Sequence, residues 1–211
     1  MQYETEEQQV EALKAWWNEN GKAVIMGIAL GVLLVIAWTW WKSSQEKKAV
    51  AASDNFSETM EALQAGDYEK VSALSKSAKE DHDGSLYAAY TSLGAARAAV
   101  EQGNLEQAAT ELQWAVDNAE LEDVSVIARV RLARVKGALG DAAGGLDVLP
   151  NNYSEGFTAL IEEARGDLLS SSGDAAAAKT AYQAALDSSG APDPGALRMK
   201  LNELASLGGN S

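Results

Sequence analysis

The chain has 211 residues, with 31 acidic against 17 basic side chains and a formal net charge of −14 at pH 7. A surface of this sign repels nucleic acid, whose binding requires clustered lysine and arginine, so we expect no nucleic-acid partner. The chain has no cysteine and a single histidine, His82. That composition excludes disulfides, thiolate chemistry and the common zinc constellations, and we expect neither a metal nor a cofactor.

The most apolar segment lies near the N-terminus, where residues 23–41 carry no charged side chain between Lys22 and Lys42. At about 1.5 Å of rise per residue, a helix of this length spans roughly 28 Å, close to the hydrocarbon thickness of a bilayer. Tryptophans flank the segment on both sides, as expected for rings at headgroup level: Trp16, Trp17, Trp38, Trp40 and Trp41. The segment predicts a transmembrane helix in contact with membrane lipid.

The leader before this segment indicates that the helix is retained as an anchor. A cleaved signal peptide has a basic leader and an apolar stretch of about 7 to 15 residues. Here the leader carries five glutamates against Lys14 alone, and the apolar stretch is longer. We therefore predict four parts: a short acidic tail over residues 1–21, a transmembrane helix over 22–42, a juxtamembrane linker over 43–52 and a soluble domain over 53–211.

Lysine counts do not decide the orientation of the anchor. Two lysines precede the apolar segment and three follow it closely: Lys14 and Lys22, then Lys42, Lys47 and Lys48. Positive-inside counting gives a near tie, and a large following domain translocates largely regardless of charge. Both orientations stay open on charge alone.

Three small residues share one face of the predicted transmembrane helix. Ala23, Gly27 and Gly31 follow one another at four-residue spacing. Such a face permits close approach of a second transmembrane helix, so it is a candidate docking face. The alternative is chance, because small residues are common in membrane helices.

The soluble domain is predicted to be all-α and built from repeats, since strand signals are nearly absent. Four glycines, each followed by aspartate or asparagine, recur at spacings of 37, 37 and 33 residues: Gly66, Gly103, Gly140 and Gly173. Glycine with left-handed backbone followed by a capping side chain is the chemistry of a tight helix-turn-helix. The period predicts four helical hairpins in a tetratricopeptide-like α-solenoid, with a plain helical bundle as the alternative.

Two features modify this repeat pattern. Val71 and Gly145 occupy the small-residue position of the second helix in the first and third hairpins, where they fit the consensus less well. After the fourth hairpin, residues 195–207 predict a closing helix. Its apolar face would cap the exposed end of the stack, through Leu197, Leu201 and Leu204.

The sequence carries no enzyme signature. His82 lies in a polar loop, and the chain has no nucleophile elbow that would support a Ser-His-Asp arrangement. We therefore expect no catalytic residues and no small-molecule substrate.

Helical repeats normally bind partners in a concave groove lined by the first helix of each hairpin. By position, the inward residues are Phe56, Met60, Leu63, Tyr90, Leu93, Arg97, Val130, Arg134, Glu163 and Asp167. The candidate partner-binding residues among them are Phe56, Met60, Tyr90, Arg97, Arg134 and Asp167. An apolar floor with arginines suits a peptide bearing carboxylates. The alternative is that some of these residues complete the core or pack against the closing helix.

From end to end, the chain resembles the YfgM family of bacterial inner-membrane proteins, which are ancillary subunits of the Sec translocon. The resemblance rests on the order and spacing of five segments after the acidic leader: residues 19–22 (ENGK), 38–41 (WTWW), 130–135 (VRLARV), 164–169 (ARGDLL) and 173–174 (GD).

This resemblance implies a cytoplasmic N-terminus, one span and a periplasmic tetratricopeptide-like domain. It implies association with the SecYEG translocon and with a membrane-anchored periplasmic chaperone of the parvulin type. The resulting interpretation is a non-enzymatic adaptor that links translocating proteins to periplasmic chaperones. A membrane-anchored scaffold for an envelope assembly or division complex is the alternative. A hydrolase would need a catalytic arrangement that the sequence does not display.

Overall fold

The computed structural model describes residues 6–83, 85–188, 190 and 193–208, and within them all regular structure is helical. The all-α prediction is thereby confirmed. In chain order the elements are α1 Glu6–Ala65, α2 Tyr68–Asp81, α3 Leu86–Glu101, α4 Leu105–Asn118, α5 Glu122–Ala138, α6 Ala142–Val148, a 3-10 turn Glu155–Phe157, α7 Thr158–Ser171, α8 Ala175–Asp187 and α9 Pro194–Gly208.

The chain divides into two compact units, residues 1–50 and residues 51–211. In the first unit, α1 contains an apolar stretch long enough to cross a membrane, and its large side chains are exposed. The predicted linker over residues 43–52 is helical. The boundaries of the tail, span and linker remain predictions, and residues 1–5 of the tail lie outside the described residues.

Each hairpin of the second unit turns at one of the four predicted glycines. Gly66, Gly103, Gly140 and Gly173 adopt φ values of +70°, +75°, +86° and +88°. The amide of the following aspartate or asparagine donates to a carbonyl five residues earlier, as Asn104 does to Ala99 at 2.8 Å. Its side chain then accepts from an amide in the first turn of the next helix, as Asn104 does from Gln107 at 3.2 Å. One short motif therefore ends one helix and begins the next.

Apolar clusters join each hairpin to the first helix of the next. One cluster combines α3, α4 and α5, and a second combines α5, α6 and α7. The two weak consensus positions are also packed: Val71 is fully buried, and a Cβ on Gly145 would lie 2.8 Å from the Ala133 carbonyl oxygen. Glycine at that position is required because the backbones of α5 and α6 approach closely there. Nearest-neighbour packing of this kind is typical of a solenoid.

The structure has a helix, α9, at the position of the predicted closing helix. Leu197 and Leu204 are buried against Tyr182 and its α8 neighbours, with Leu201 partly buried beside them. The helix thus covers the apolar side of the last hairpin.

We expect Gly103→Ala to lower the free energy of unfolding by about 1 kcal/mol, because a left-handed backbone conformation is unfavourable for alanine by roughly 1–2 kcal/mol. Space does not contribute, since a Cβ on Gly103 would have no atom within 4 Å. The matched control is Gly156→Ala, where the space is equally open and φ is not positive. Urea unfolding followed by circular dichroism measures both variants. Equal stability of the two variants would contradict the turn assignment.

Candidate partner-binding groove

An open pocket of about 320 Å³ lies between α3 and α5. Its apolar lining includes Leu93 from α3, Leu112 from α4 and Val135 from α5, all of which are buried in the core beneath. Val100 adds an apolar side chain that is 45% exposed. The first helices of the second and third hairpins therefore present an apolar surface where the repeat pattern predicts a groove.

Three arginines line this same pocket. Arg97 comes from α3, and Arg131 and Arg134 come from α5, where a spacing of three residues places them on one face of the helix. The structure thus brings the predicted pair Arg97 and Arg134 together. It adds Arg131, which the sequence analysis did not select.

The three guanidinium groups differ in their partners. Arg97 Nε donates to Glu101 Oε1 at 2.8 Å, and Arg134 Nη2 lies 3.6 Å from Glu163 Oε2. Glu101 also accepts from the Tyr68 hydroxyl at 2.9 Å. Within the part of the chain that the structure describes, Arg131 forms no hydrogen bond or ion pair. Among the described residues, the pocket therefore holds one positive charge that has no carboxylate partner.

The pKa values of two groups in the pocket, Arg131 and Glu101, are shifted by these contacts. Desolvation lowers the pKa of Arg131, and the positive charges of Arg134 and Arg97 lower it further. The hydrogen bond from Arg97, followed by that from Tyr68, lowers the pKa of Glu101. A second carboxylate close to Arg131 would relieve the repulsion among the arginines, so the pocket favours an anionic group.

A second depression of about 250 Å³ shares Arg134 with the first and extends toward α7, where Asp167 and Leu168 line it. Asp167 is held by two partners from the end of the stack: Lys200 Nζ at 2.7 Å and the Tyr182 hydroxyl at 2.8 Å. Lys200, which belongs to α9, also donates to Glu163 at 2.8 Å. Asp167 thus links α7 to α8 and to the closing helix α9. The role of Asp167 in partner binding stays a prediction.

The pKa directions agree with this network. Burial would lower the pKa of Lys200, but its hydrogen bonds to Asp167 and Glu163 outweigh burial and raise it. Burial raises the pKa of the Tyr182 hydroxyl, and donation to Asp167 raises it further. The proton of Tyr182 and the charge of Lys200 are therefore both retained in the folded state.

At the other end of the groove, Phe56 contacts Tyr90 and Tyr87, with ring centroids 5.7 and 5.9 Å apart. These three rings and the nearby Met60 are half-buried. They form an aromatic surface on the first hairpin and the start of the second. Contact of Phe56, Met60 and Tyr90 with a partner stays a prediction.

The predicted position of Val130 in the groove is wrong. Val130 is 1% exposed and packs in the core with Ile161, so it does not line the groove. Successive residues of an α-helix are about 100° apart around the axis, and the groove position belongs to Arg131. The three-residue spacing from Arg134 is the sequence signal that would have identified Arg131.

In the first unit, Ala23 is exposed, and a Cβ on Gly27 or Gly31 would have no atom within 4 Å. This face therefore leaves room for close approach of another helix. Its role in docking stays a prediction.

His82 is the half-buried C-cap residue of α2. The described residues hold no group of three or more histidine, cysteine or acidic side chains suited to a metal.

Stacked helical hairpins, on a chain with a helix long and apolar enough to cross a membrane, define a helical-repeat protein with a candidate membrane anchor. The family model described as tetratricopeptide repeat-like domain matches residues 14–206. No solved structure matches the chain.

Three curated relatives bear the name ancillary SecYEG translocon subunit. The protein from Escherichia coli K12 is 35% identical over 96% of this chain and 98% of its own length. Those from Haemophilus influenzae and Aggregatibacter actinomycetemcomitans are each 29% identical over 94% of this chain and 97% of theirs. The chain belongs to the family of ancillary SecYEG translocon subunits, which confirms the resemblance to the YfgM family.

The link between Tyr182 and Asp167 predicts a pH dependence of stability. The pKa of the Tyr182 hydroxyl is higher in the folded state than in the unfolded state, so the unfolded state loses the hydroxyl proton first as the pH rises. The contribution of Tyr182 to stability therefore falls above about pH 10. At pH 8, Tyr182→Phe should be less stable than the parent by about 1 kcal/mol, since it lacks one hydrogen bond. The difference should shrink by about 1 kcal/mol between pH 10 and pH 11.

Urea unfolding at each pH measures this difference. Tyr87→Phe is the matched control, because the Tyr87 hydroxyl makes no hydrogen bond within the described residues. A constant difference between Tyr182→Phe and the parent from pH 8 to pH 11 would contradict the proposed origin.

Proposed function

We propose that this protein is a non-enzymatic adaptor in the bacterial inner membrane, associated with the SecYEG translocon and connecting translocating proteins to periplasmic chaperones. The observation that carries the proposal is the combination, in one chain, of a candidate membrane helix and an apolar, arginine-lined groove between helical repeats. Nearly full-length similarity to proteins named ancillary SecYEG translocon subunit supports the assignment to the translocon.

In this proposal the chain crosses the membrane once, with the N-terminal tail in the cytoplasm and the repeat domain in the periplasm. The small-residue face of Ala23, Gly27 and Gly31 docks against transmembrane helices of the translocon. The acidic charge of the repeat domain keeps it off anionic lipid, so the groove stays free for protein partners.

The groove recruits a membrane-anchored periplasmic chaperone of the parvulin type. The residues that contact this partner are Phe56, Met60, Tyr90, Arg97, Arg134 and Asp167. Because both proteins are anchored, recruitment does not require tight binding: tethering raises the effective concentration of the second contact. Weak binding would let the chaperone exchange as successive polypeptides emerge.

Site-specific photocrosslinking in intact membranes tests both contacts. A crosslinking amino acid replaces Gly27 or Gly31 in the helix and Arg97 or Arg134 in the groove. We expect translocon subunits from the helix positions and a periplasmic chaperone from the groove positions. The matched controls are Ala29 and Leu33, on the opposite side of the helix, and the exposed Gln113 on α4, outside the groove.

If Ala29 and Leu33 crosslink to translocon subunits as strongly as Gly27 and Gly31 do, the docking-face assignment is wrong. Crosslinks from the test positions to envelope-assembly or division proteins, with translocon subunits absent, would replace the adaptor with the scaffold function.

A further inference from the structure

The pocket between α3 and α5 has an unusual charge for this domain. Residues 49–211 carry 25 acidic against 12 basic side chains, and three of those 12 basic side chains line this one pocket. Glu101 is the acidic residue that shares the lining, and it is bonded to both Arg97 and Tyr68. A positive potential is therefore concentrated over an apolar floor, on a surface that is otherwise acidic.

Arg131 is the residue through which this potential is available to a ligand. Arg97 and Arg134 each face a carboxylate of the chain, at 2.8 and 3.6 Å. Within the described residues, Arg131 faces none. A guanidinium group presents a fork of donors that matches a carboxylate bidentately, and such charge-assisted bonds are roughly twice as strong as neutral ones.

The apolar floor restricts the ligand further. Val100 supplies the exposed apolar surface, the buried Leu93, Leu112 and Val135 complete the lining, and none of these four side chains offers a hydrogen bond to a fully polar anion. The best-matched ligand therefore combines an apolar group with a neighbouring carboxylate. A peptide that carries leucine or phenylalanine next to aspartate or glutamate has this combination.

We propose that this pocket binds an acidic-apolar segment of a partner protein, with a large apolar side chain against Val100 and the apolar floor and a carboxylate on Arg131. This inference rests on the proposed adaptor function, because it names the chemistry that the groove recognises. The pocket selects partner segments that would be repelled elsewhere on this domain.

An anionic lipid headgroup is the competing source of negative charge. Lipid recognition of that kind uses clusters of four to eight lysines and arginines on an exposed surface. Here three arginines surround an apolar pocket on a domain with a large acidic excess. Approach of the domain to an anionic bilayer is unfavourable, so charge complementarity favours the peptide.

The test begins with selection from a random nonapeptide library on phage, using the full chain in phosphatidylcholine nanodiscs. We expect enrichment of peptides that pair leucine or phenylalanine with aspartate or glutamate. No translocon subunit or chaperone is present, so this result is independent of the crosslinking result. Enrichment of basic peptides, or no enrichment, would overturn the inference.

The most enriched peptide, labelled with fluorescein, is then titrated with three forms of the protein by fluorescence anisotropy. Arg131→Gln should weaken binding about fivefold, and replacement of the acidic residues of the peptide by glutamine and asparagine should weaken it by at least as much. Arg198→Gln, which removes an exposed arginine of α9 outside the pocket, should change the affinity less than twofold. Equal effects of the two protein variants would show a nonspecific response to charge and overturn the assignment.

Soluble dihexanoyl phosphatidylglycerol is added as a competitor in the same assay. Peptide binding should persist at competitor concentrations that match those of the peptide. Displacement that depends on Arg131 at such concentrations would assign the pocket to a lipid headgroup instead.

Discussion

Every hairpin of the repeat domain depends on a glycine with left-handed backbone and on the aspartate or asparagine that follows it. The glycine permits φ values of +70° to +88°, and the next residue satisfies groups at the end of one helix and the start of another. Because each turn uses the same motif, each hairpin presents its apolar side to the next hairpin. A single hairpin cannot bury that side alone, so the hairpins stack and their first helices lie side by side.

This stacking decides where charge is available. The carboxylates Glu163 and Asp167 on α7 are bonded to Lys200 of the closing helix, and Glu163 also faces Arg134. Both acids lie close to Arg134, and the positive charge of Lys200 offsets part of the negative potential that they add to the arginine pocket. The closing helix therefore covers the apolar end of the stack and also neutralises acidic groups next to the pocket. Its contribution to the groove is electrostatic as well as structural.

The sequence predicted the features that are local. Gly103 followed by Asn104 specifies a turn within six residues, and Leu197, Leu201 and Leu204 specify the apolar face of α9 by their spacing alone. It did not predict features that depend on precise rotation or on distant contacts. Val130 and Arg131 differ by about 100° around the helix axis, so a shift of one residue exchanges core for groove. The ion pair between Lys200 and Asp167 joins positions 33 residues apart, and no local pattern marks it.

In the described part of the chain, the groove holds one arginine without a carboxylate partner, which suits the proposed adaptor function. Exposed ion pairs contribute only about 0–1 kcal/mol, so a carboxylate on Arg131 gives selectivity but modest affinity unless the apolar floor is also filled. A ligand with both groups gains from desolvation of the floor and from the charge, whereas a ligand with one of them gains little. Anchoring two proteins in the same membrane then raises their effective concentration without any additional contact. In the proposed function, selectivity from the pocket and proximity from the anchor would together allow reversible recruitment.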